Sequence, residues 1–340
     1  MKTVIIGGGI VGSVLYRLLK ETGDEVIVVD NRSKAYFQTL ILSLLLKGKD
    51  IELAKESLRL YRRFNIPLYP FTSYTIGGKI DEKTIEEWKE AGAEIEEKYV
   101  DWLNVSAIVS NNSDWLVHVS KLIRSTPFIK GNAKVIVKDE GKKTVVTIDN
   151  KEYNFDRVIL AAGPWNSYIA EGIRIPTKSY YCWALLVYNN KGKIYDKAII
   201  YDYELRFYSR PFLGIGLPFW VVGDGKAIPS EPDPKKRIVP CDEKLLIERV
   251  RKRLGKFTKL YRRGSYCEAT PDMRPAYGIL ADNLYYAGGL NGYGAEVGPG
   301  LAMLLFRLLK ENYEEKEYLL SRFKDVKDFE IQDLEPHELL

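Results

Sequence analysis

The sequence predicts an α/β fold in which a Rossmann-like dinucleotide-binding domain is interleaved with a mostly antiparallel α+β domain. Three observations predict it. A short apolar run at the start opens into Gly7-Gly8-Gly9-Ile10-Val11-Gly12 and then into a helical pattern, the strand–turn–helix that a G-x-G-x-x-G requires. Asp30 closes the next apolar run, 23 positions after Gly7. Late in the chain, a second glycine-rich turn leads from a strand into a helix, and a strand-rich aromatic stretch lies between the two.

Residues 3–6 read as a buried parallel strand, and residues 12–20 as a helix with Leu15, Leu18 and Leu19 inward. Gly7 permits the tight turn, Gly9 lets a pyrophosphate approach the backbone, and Gly12 lets helix and strand pack closely. The free amides at the helix start then cradle the phosphates. Residues 25–29 form the next strand, and the Asp30 carboxylate can accept both ribose hydroxyls of an adenosine. This fingerprint does not choose between NAD and FAD.

Residues 50–66 are expected to be helical, as are 82–97, a charged surface helix, and 114–124, with Val117, Leu122 and Ile123 inward. Strands at 134–138 and 143–149 flank an Asp-Glu-Gly turn at 139–141. Residues 156–160 form a buried strand that runs into a small-residue turn ending at Trp165. The stretch 175–222 carries strands rich in Tyr and Trp, read as core more than as a cage, and a proline-rich loop at 228–240 leads into a basic helix over 243–256. Residues 283–286 form a strand, followed by the turn Ala287-Gly288-Gly289-Leu290-Asn291-Gly292-Tyr293-Gly294-Ala295-Glu296 and a helix with Leu301, Leu304, Leu305 and Leu308 inward. Such a turn aims the positive end of a helix dipole at whatever is bound there. The pyrimidine end of a flavin, which gains negative charge on reduction, suits that place.

Composition excludes several other classes. The 340 residues are two domains' worth at roughly 150 per domain, and 46% apolar residues give a sizeable core. Fifty-one Lys and Arg against 46 Asp and Glu leave a net +5, too small a surplus for a nucleic-acid footprint. The most apolar stretch, 40–46, is far short of the ~20 residues of a bilayer span, and the glycines at 7–12 break the only stretch that resembles a signal peptide. The three cysteines, Cys182, Cys241 and Cys267, are too dispersed for a disulfide framework, which points to the reduced cytoplasm. With His118 and His337 the only histidines, and neither near a cysteine, no metal site is expected and a Ser–His hydrolase is disfavoured. Two Gln among many Ile, Lys, Glu and Tyr suggest heat adaptation.

The first glycine motif with Asp30, the Val158-Ile159-Leu160-Ala161-Ala162-Gly163-Pro164-Trp165 strand and turn, and the 287–294 loop together resemble the D-amino-acid-oxidase-type flavoprotein family, which includes glycine oxidase, sarcosine oxidase and dye-linked proline dehydrogenase. The resemblance spans nearly the whole chain in the same order. Residues 206–211 look like the family's substrate-domain strand, and 270–278 like its approach to the flavin. What the resemblance implies is FAD. It also implies a domain of residues 1–64, 100–170 and 270–340 for the cofactor, and one of 65–99 and 171–269 for the substrate. The cofactor contacts it implies are Gly7, Gly9, Ile10, Val11, Gly12, Asp30, Asn31, Arg32, Gln38, Thr39, Gly163, Trp165, Gly292, Tyr293, Gly294, Ala295 and Glu296.

Four positions depart from the relatives. Ser265 stands where sarcosine oxidase carries its flavin-linked cysteine, so FAD is expected to be non-covalent. Cys267 stands where glycine oxidase has its carboxylate-binding arginine, Glu296 where sarcosine oxidase has a lysine, and Tyr293 where that enzyme has a histidine. Strand alternation puts Arg206, Tyr208 and Arg210 on one face as candidate substrate holders, since a guanidinium clamps a carboxylate with two hydrogen bonds; the alternative is a solvated strand face. Asp272 and Arg274 are expected to pair within their turn. Glu296 either complements the helix dipole, worth ~0.3–1 kcal/mol, or faces the pocket and repels a substrate carboxylate by about 4 kcal/mol before screening.

The expected activity is oxidation of a small amine or amino acid by hydride transfer to flavin N5, which needs no protein base because a neutral amine is the reactive form. The alternatives are oxidation of a 2-hydroxy acid or polyol, and a flavin-binding subunit of a larger dehydrogenase complex. The basic segment 234–263 and the acidic tail 311–340 leave room for a homo-oligomer or an electron-accepting partner protein.

Overall fold

The structure, a computed structural model, describes residues 1–32, 38–188, 198–213, 218–233 and 239–335. Residues 234–238 of the basic segment, and His337, lie outside them. A six-stranded sheet runs in the order Ala276–Ala281, Leu284–Gly288, Arg157–Leu160, Lys2–Ile6, Glu25–Asp30 and Ile129–Lys130, parallel except for its first strand. Alternation along the first strand explains its layering. Ile5 faces a core shared with the helices Ile10–Glu21, Lys49–Arg63 and Gly294–Glu311. Val4 and Ile6 face a second core, closed by a four-stranded sheet built on Ala133–Lys138 and Lys143–Ile148.

A ten-stranded, mostly antiparallel sheet makes the other half. Its centre pairs Lys178–Tyr188 with Thr258–Ala269 on one side and Phe219–Gly223 on the other, then continues through Phe207–Pro211, Ala198–Asp202, Leu68–Ile76 and Val105–Val117 to Leu40–Ser43. Leu246, Val250 and Leu254 of the helix Glu243–Leu254 cover it over Leu185, Val187, Trp220 and Val222. Of the aromatic residues expected between 175 and 222 as core, Tyr180, Tyr181, Trp183, Tyr201, Phe207 and Trp220 are buried, while Tyr188, Tyr203 and Tyr208 are only partly so. Among the described residues no helix is long and apolar enough to cross a membrane.

The structure differs from the sequence reading in local places. The expected helix at 114–124 is shortened to Val119–Arg124, because residues up to Val117 belong to a strand paired on both sides. The helix expected over 82–97 ends at Glu90; Gly92, at φ +105°, turns the chain, and Glu94–Val100 pairs with Val105–Val117. Leu40–Ser43 and Val105–Val117 lie, by register, in the ten-stranded sheet, although the sequence boundaries put them with the cofactor segments. Arg206 is not in a strand. Phe207 begins the strand, and Arg206 occupies the preceding turn at φ +57°, exposed to solvent.

Candidate functional site

The first glycine turn is fixed by its own backbone. Gly7 sits at φ +107°, a conformation that side chains disfavour. A Cβ there would overlap the Ala161 carbonyl of the adjacent strand end, and a Cβ at Gly12 would overlap the Gly7 carbonyl. Nothing larger than glycine lets the first helix start this close to the sheet. Asp30, 7% exposed, accepts the Gly8 amide at 2.6 Å and also the Arg32 amide. The Arg32 guanidinium stacks on Phe128, 3.9 Å from the ring centre.

Two cavities meet at this turn. One, of about 260 Å³, is lined by Gly7, Asp30, Asn31, Asn132, Trp165 and Tyr168. The other, of about 240 Å³, has Gly9, Ile10, Val11, Gly163, Gly292 and Gly294 on one side, and Cys182, Trp183, Tyr208, Tyr266 and Cys267 of the ten-stranded sheet on the other. A dinucleotide laid across the turn would place an adenosine by Asp30 and a second, larger ring system against the late glycine loop. Backbone there approaches the cavity without side chains, so the residues present fit FAD. The Cys182 and Cys267 thiols touch at 2.8 Å within this wall.

A cleft of about 100 Å³ continues from the second cavity and is lined by Leu40, Tyr201, Tyr208, Arg210, Tyr293 and Glu296, with Glu335 of the tail shared between the two. Arg210, 3% exposed, donates to the Thr39 carbonyl at 2.9 Å and to the Pro211 carbonyl at 3.0 Å. Burial lowers its pKa to about 10, so it stays a cation at neutral pH. Burial, then the neighbouring Asp114, holds the Glu296 carboxyl well above the usual range, against an opposing hydrogen bond from the Ser43 amide. Asp114 itself accepts Ser73 Oγ at 2.7 Å and the Tyr201 hydroxyl at 2.8 Å. Glu268, in the cavity wall, accepts the Gly289 amide at 2.8 Å and Asn166 Nδ2 at 3.2 Å, and burial raises its pKa to about 7.

Residues 126–308 match the family described as FAD dependent oxidoreductase, DAO. The chain belongs to this family. No curated protein sequence matches it. Among solved structures it is similar to L-proline dehydrogenase from P. horikoshii, at 17% identity and a TM-score of 0.76 over 97% of this chain and 99% of the other. It is also similar to iminodiacetate oxidase from Chelativorans sp. BNC1, at 15% identity and a TM-score of 0.73 over 94% and 98%. Glycine oxidase from Bacillus cereus shows 19% identity and a TM-score of 0.72 over 93% and 97%. At these identities the likeness is one of fold.

In this member of the family, most residues expected at the cofactor line the two cavities, and several do something else. Gln38 is exposed and lines a separate pocket with Phe212 and Arg263, while buried Thr39 donates to the Phe212 carbonyl at 2.6 Å. Tyr293 lines neither cavity, only the cleft, and donates to Asp50 at 2.9 Å, a carboxylate that also takes the Tyr318 hydroxyl and, at 3.1 Å, the Arg274 guanidinium. Tyr293 is therefore a loop anchor. Asp272 and Arg274 pair in their turn only through the backbone, the Arg274 amide donating to Asp272 at 3.0 Å; the Arg274 guanidinium reaches Asp50, and the Asp272 carboxylate takes Arg322 at 2.9 Å. Ala295 lends its carbonyl to the Tyr61 hydroxyl at 3.0 Å. Of the substrate candidates, Tyr208, Arg210 and Glu296 come together in the cleft, and Arg206 does not. Asp50, Asp114, Glu268 and Glu335 were not singled out from the sequence; each is an acid outside any motif, and its partners come from distant segments.

Proposed function

We propose that this flavoenzyme oxidises a small amino acid or amine by hydride transfer to FAD N5, without a covalent flavin link. The observation that carries this reading is the Arg210 guanidinium lining a cleft that opens off the aromatic cavity. Burial and the neighbouring Asp114 push the Glu296 carboxyl beside it well above its ordinary range, which weakens its opposition to a carboxylate held by the Arg210 cation. FAD, when bound, supplies a two-electron acceptor. The chain's own part is orientation and exclusion of water: Trp183, Tyr208 and Tyr266 wall the cavity opposite the glycine loops. Glu335, at the junction of cavity and cleft, offers an acceptor to an amine N–H. The low polarity of that wall favours the neutral amine, the form that donates hydride.

A second reading, oxidation of a hydroxy acid, needs a base to take the hydroxyl proton. Glu268, in the cavity wall with its pKa raised to about 7, is the group suited to that role. An anaerobic screen of amino acids, secondary amines, diamines and hydroxy acids, read by bleaching of the flavin, separates the readings. Bleaching by amino acids or amines supports the proposal. Bleaching by hydroxy acids alone overturns it in favour of the second reading, and bleaching only when a partner protein is added would make the chain a subunit of a complex.

A further inference from the structure

Cys182 and Cys267 are distant in sequence, yet the fold makes them neighbours. Their strands, Lys178–Tyr188 and Thr258–Ala269, pair antiparallel with Tyr180 opposite Cys267 and Cys182 opposite Ser265. The two cysteines are therefore a diagonal pair on one face of the sheet, the face that walls the cavity lined by Gly9, Gly163 and Gly292. Their sulfurs stand 2.8 Å apart, so closure to a bond of ~2.05 Å asks for less than about 1 Å of side-chain movement. Both residues are only partly buried, so the cavity gives a small reagent a way in. Cys241 is elsewhere, against Arg262.

A carboxylate oxygen of Glu335 lies within 4.8 Å of both sulfurs, which raises the question of a metal ion. Two thiolates on a tetrahedral zinc, at ~2.3 Å each, would stand roughly 3.8 Å apart. The observed 2.8 Å contact is too close for that and suits a direct sulfur–sulfur bond.

We propose that Cys182 and Cys267 form a reversible dithiol–disulfide couple in the cavity wall, oxidised by low-molecular-weight disulfides and reduced by thiols. One cysteine thiolate attacks the small disulfide and expels one small thiol, leaving a mixed disulfide. The second cysteine then attacks the protein sulfur of that mixed disulfide and expels the other small thiol. In sum, two protein S–H groups become one S–S bond, and the small disulfide takes up the two electrons and two protons as two thiols. Either cysteine can make the first attack, with the other closing the bond; the contact with Cys267, followed by burial, holds the Cys182 thiol well above its ordinary range. The new bond ties together two strands of the cavity wall and removes the Cys182 thiol's contact with the Ser265 carbonyl, now 3.4 Å away. This inference is independent of the substrate.

The test uses the full-length, FAD-loaded protein. It is reduced, freed of reductant, equilibrated with oxidised glutathione under native conditions, quenched with an alkylating agent, unfolded and mapped by mass spectrometry. The chain has three cysteines, so the expected result is a fall from three alkylatable thiols to one, with a peptide linking Cys182 to Cys267. A thiol reductant should restore all three. Cys182→Ser and Cys267→Ser should form no internal disulfide, whereas Cys241→Ser should still form it. Three thiols that persist, a stable glutathione adduct without ring closure, or a disulfide involving Cys241 would each overturn the proposal.

Discussion

Replacing Glu268 by glutamine should change how the stability of the protein depends on pH. In the native state burial raises this carboxyl to about 7, against the donors Gly289 N and Asn166 Nδ2, which favour the charged form. In the unfolded chain it titrates near its ordinary value of ~4.3. Between those two values the native state keeps a proton that the unfolded state has released, so stability falls as pH rises through the window and levels off above about 7. At ~1.4 kcal/mol per tenfold change in proton affinity, the whole window is worth about 4 kcal/mol, of which about 3 is lost above about pH 4.5. The side chain faces Tyr286 and Thr177, and its oxygens sit against Gly288, so few other groups can blur the effect. Urea unfolding at a fixed FAD concentration, in steps from pH 4.5 to 8, gives the free energies for wild type and Glu268→Gln. The difference between the two should shift by about 3 kcal/mol in favour of the variant across that range. A difference that stays constant with pH would refute the idea that Glu268 carries the proton.

Three further outcomes are expected. Asp30→Ala removes the charged acceptor that holds the Gly8 amide and should weaken FAD binding by about 1.5–3 kcal/mol, roughly ten- to a hundredfold, in a fluorescence titration of apoprotein; an unchanged Kd would refute its role. Acid precipitation should leave the yellow colour in the supernatant, because Ser265 cannot form a thioether; flavin fluorescence on the denatured chain would contradict this. Glu296→Gln should leave the ranking of glycine, sarcosine, proline and a diamine unchanged at neutral pH, since burial and Asp114 push the carboxyl well up toward its neutral form; a reordered ranking in steady-state rates would show that it is charged.

What the sequence made legible is what local geometry alone can enforce. The turn at 7–12 is such a case: the positive φ of Gly7 and the overlap a Cβ at Gly12 would create leave no other residue type for that spacing. The last helix is another, because Leu301, Leu305 and Leu308 share one buried side, with Leu304, expected inward too, only partly buried against the same core. Residues 114–117 were misread as helix because Val117, Leu122 and Ile123 look helical by spacing. Their strand state depends on partners at 40–43 and 68–71, contributed from elsewhere in the chain. Arg206 was placed with Tyr208 and Arg210 by carrying alternation one residue too far, across a turn that the Asp202 carboxylate closes by accepting the Leu205 amide at 2.8 Å. The cysteine pair left no trace in spacing at all, since only the register of two long strands brings it together.

Glu296 shows why a charge read from sequence has to be settled by burial. As a residue after the last loop glycine it reads as a carboxylate, and a carboxylate there would repel the acid group of an amino acid. In the fold it is 3% exposed, and Asp114 and Asp50 lie close enough to oppose its ionisation. Each of those two acids has its own donors, Ser73 and Tyr201 for Asp114, Tyr293 and Tyr318 for Asp50. For Glu296, burial comes first and the two neighbouring acids add to it, outweighing the opposing Ser43 amide, so its carboxyl is pushed well above its ordinary range. The expected repulsion is therefore weakened, and under the proposed function Arg210, a cation in the same cleft, is the charge that a substrate carboxylate would meet. Binding of amino acids here, as proposed, does not founder on this position, because the strands at 40–43 and 105–117 bring Ser43 and Asp114 to the last helix.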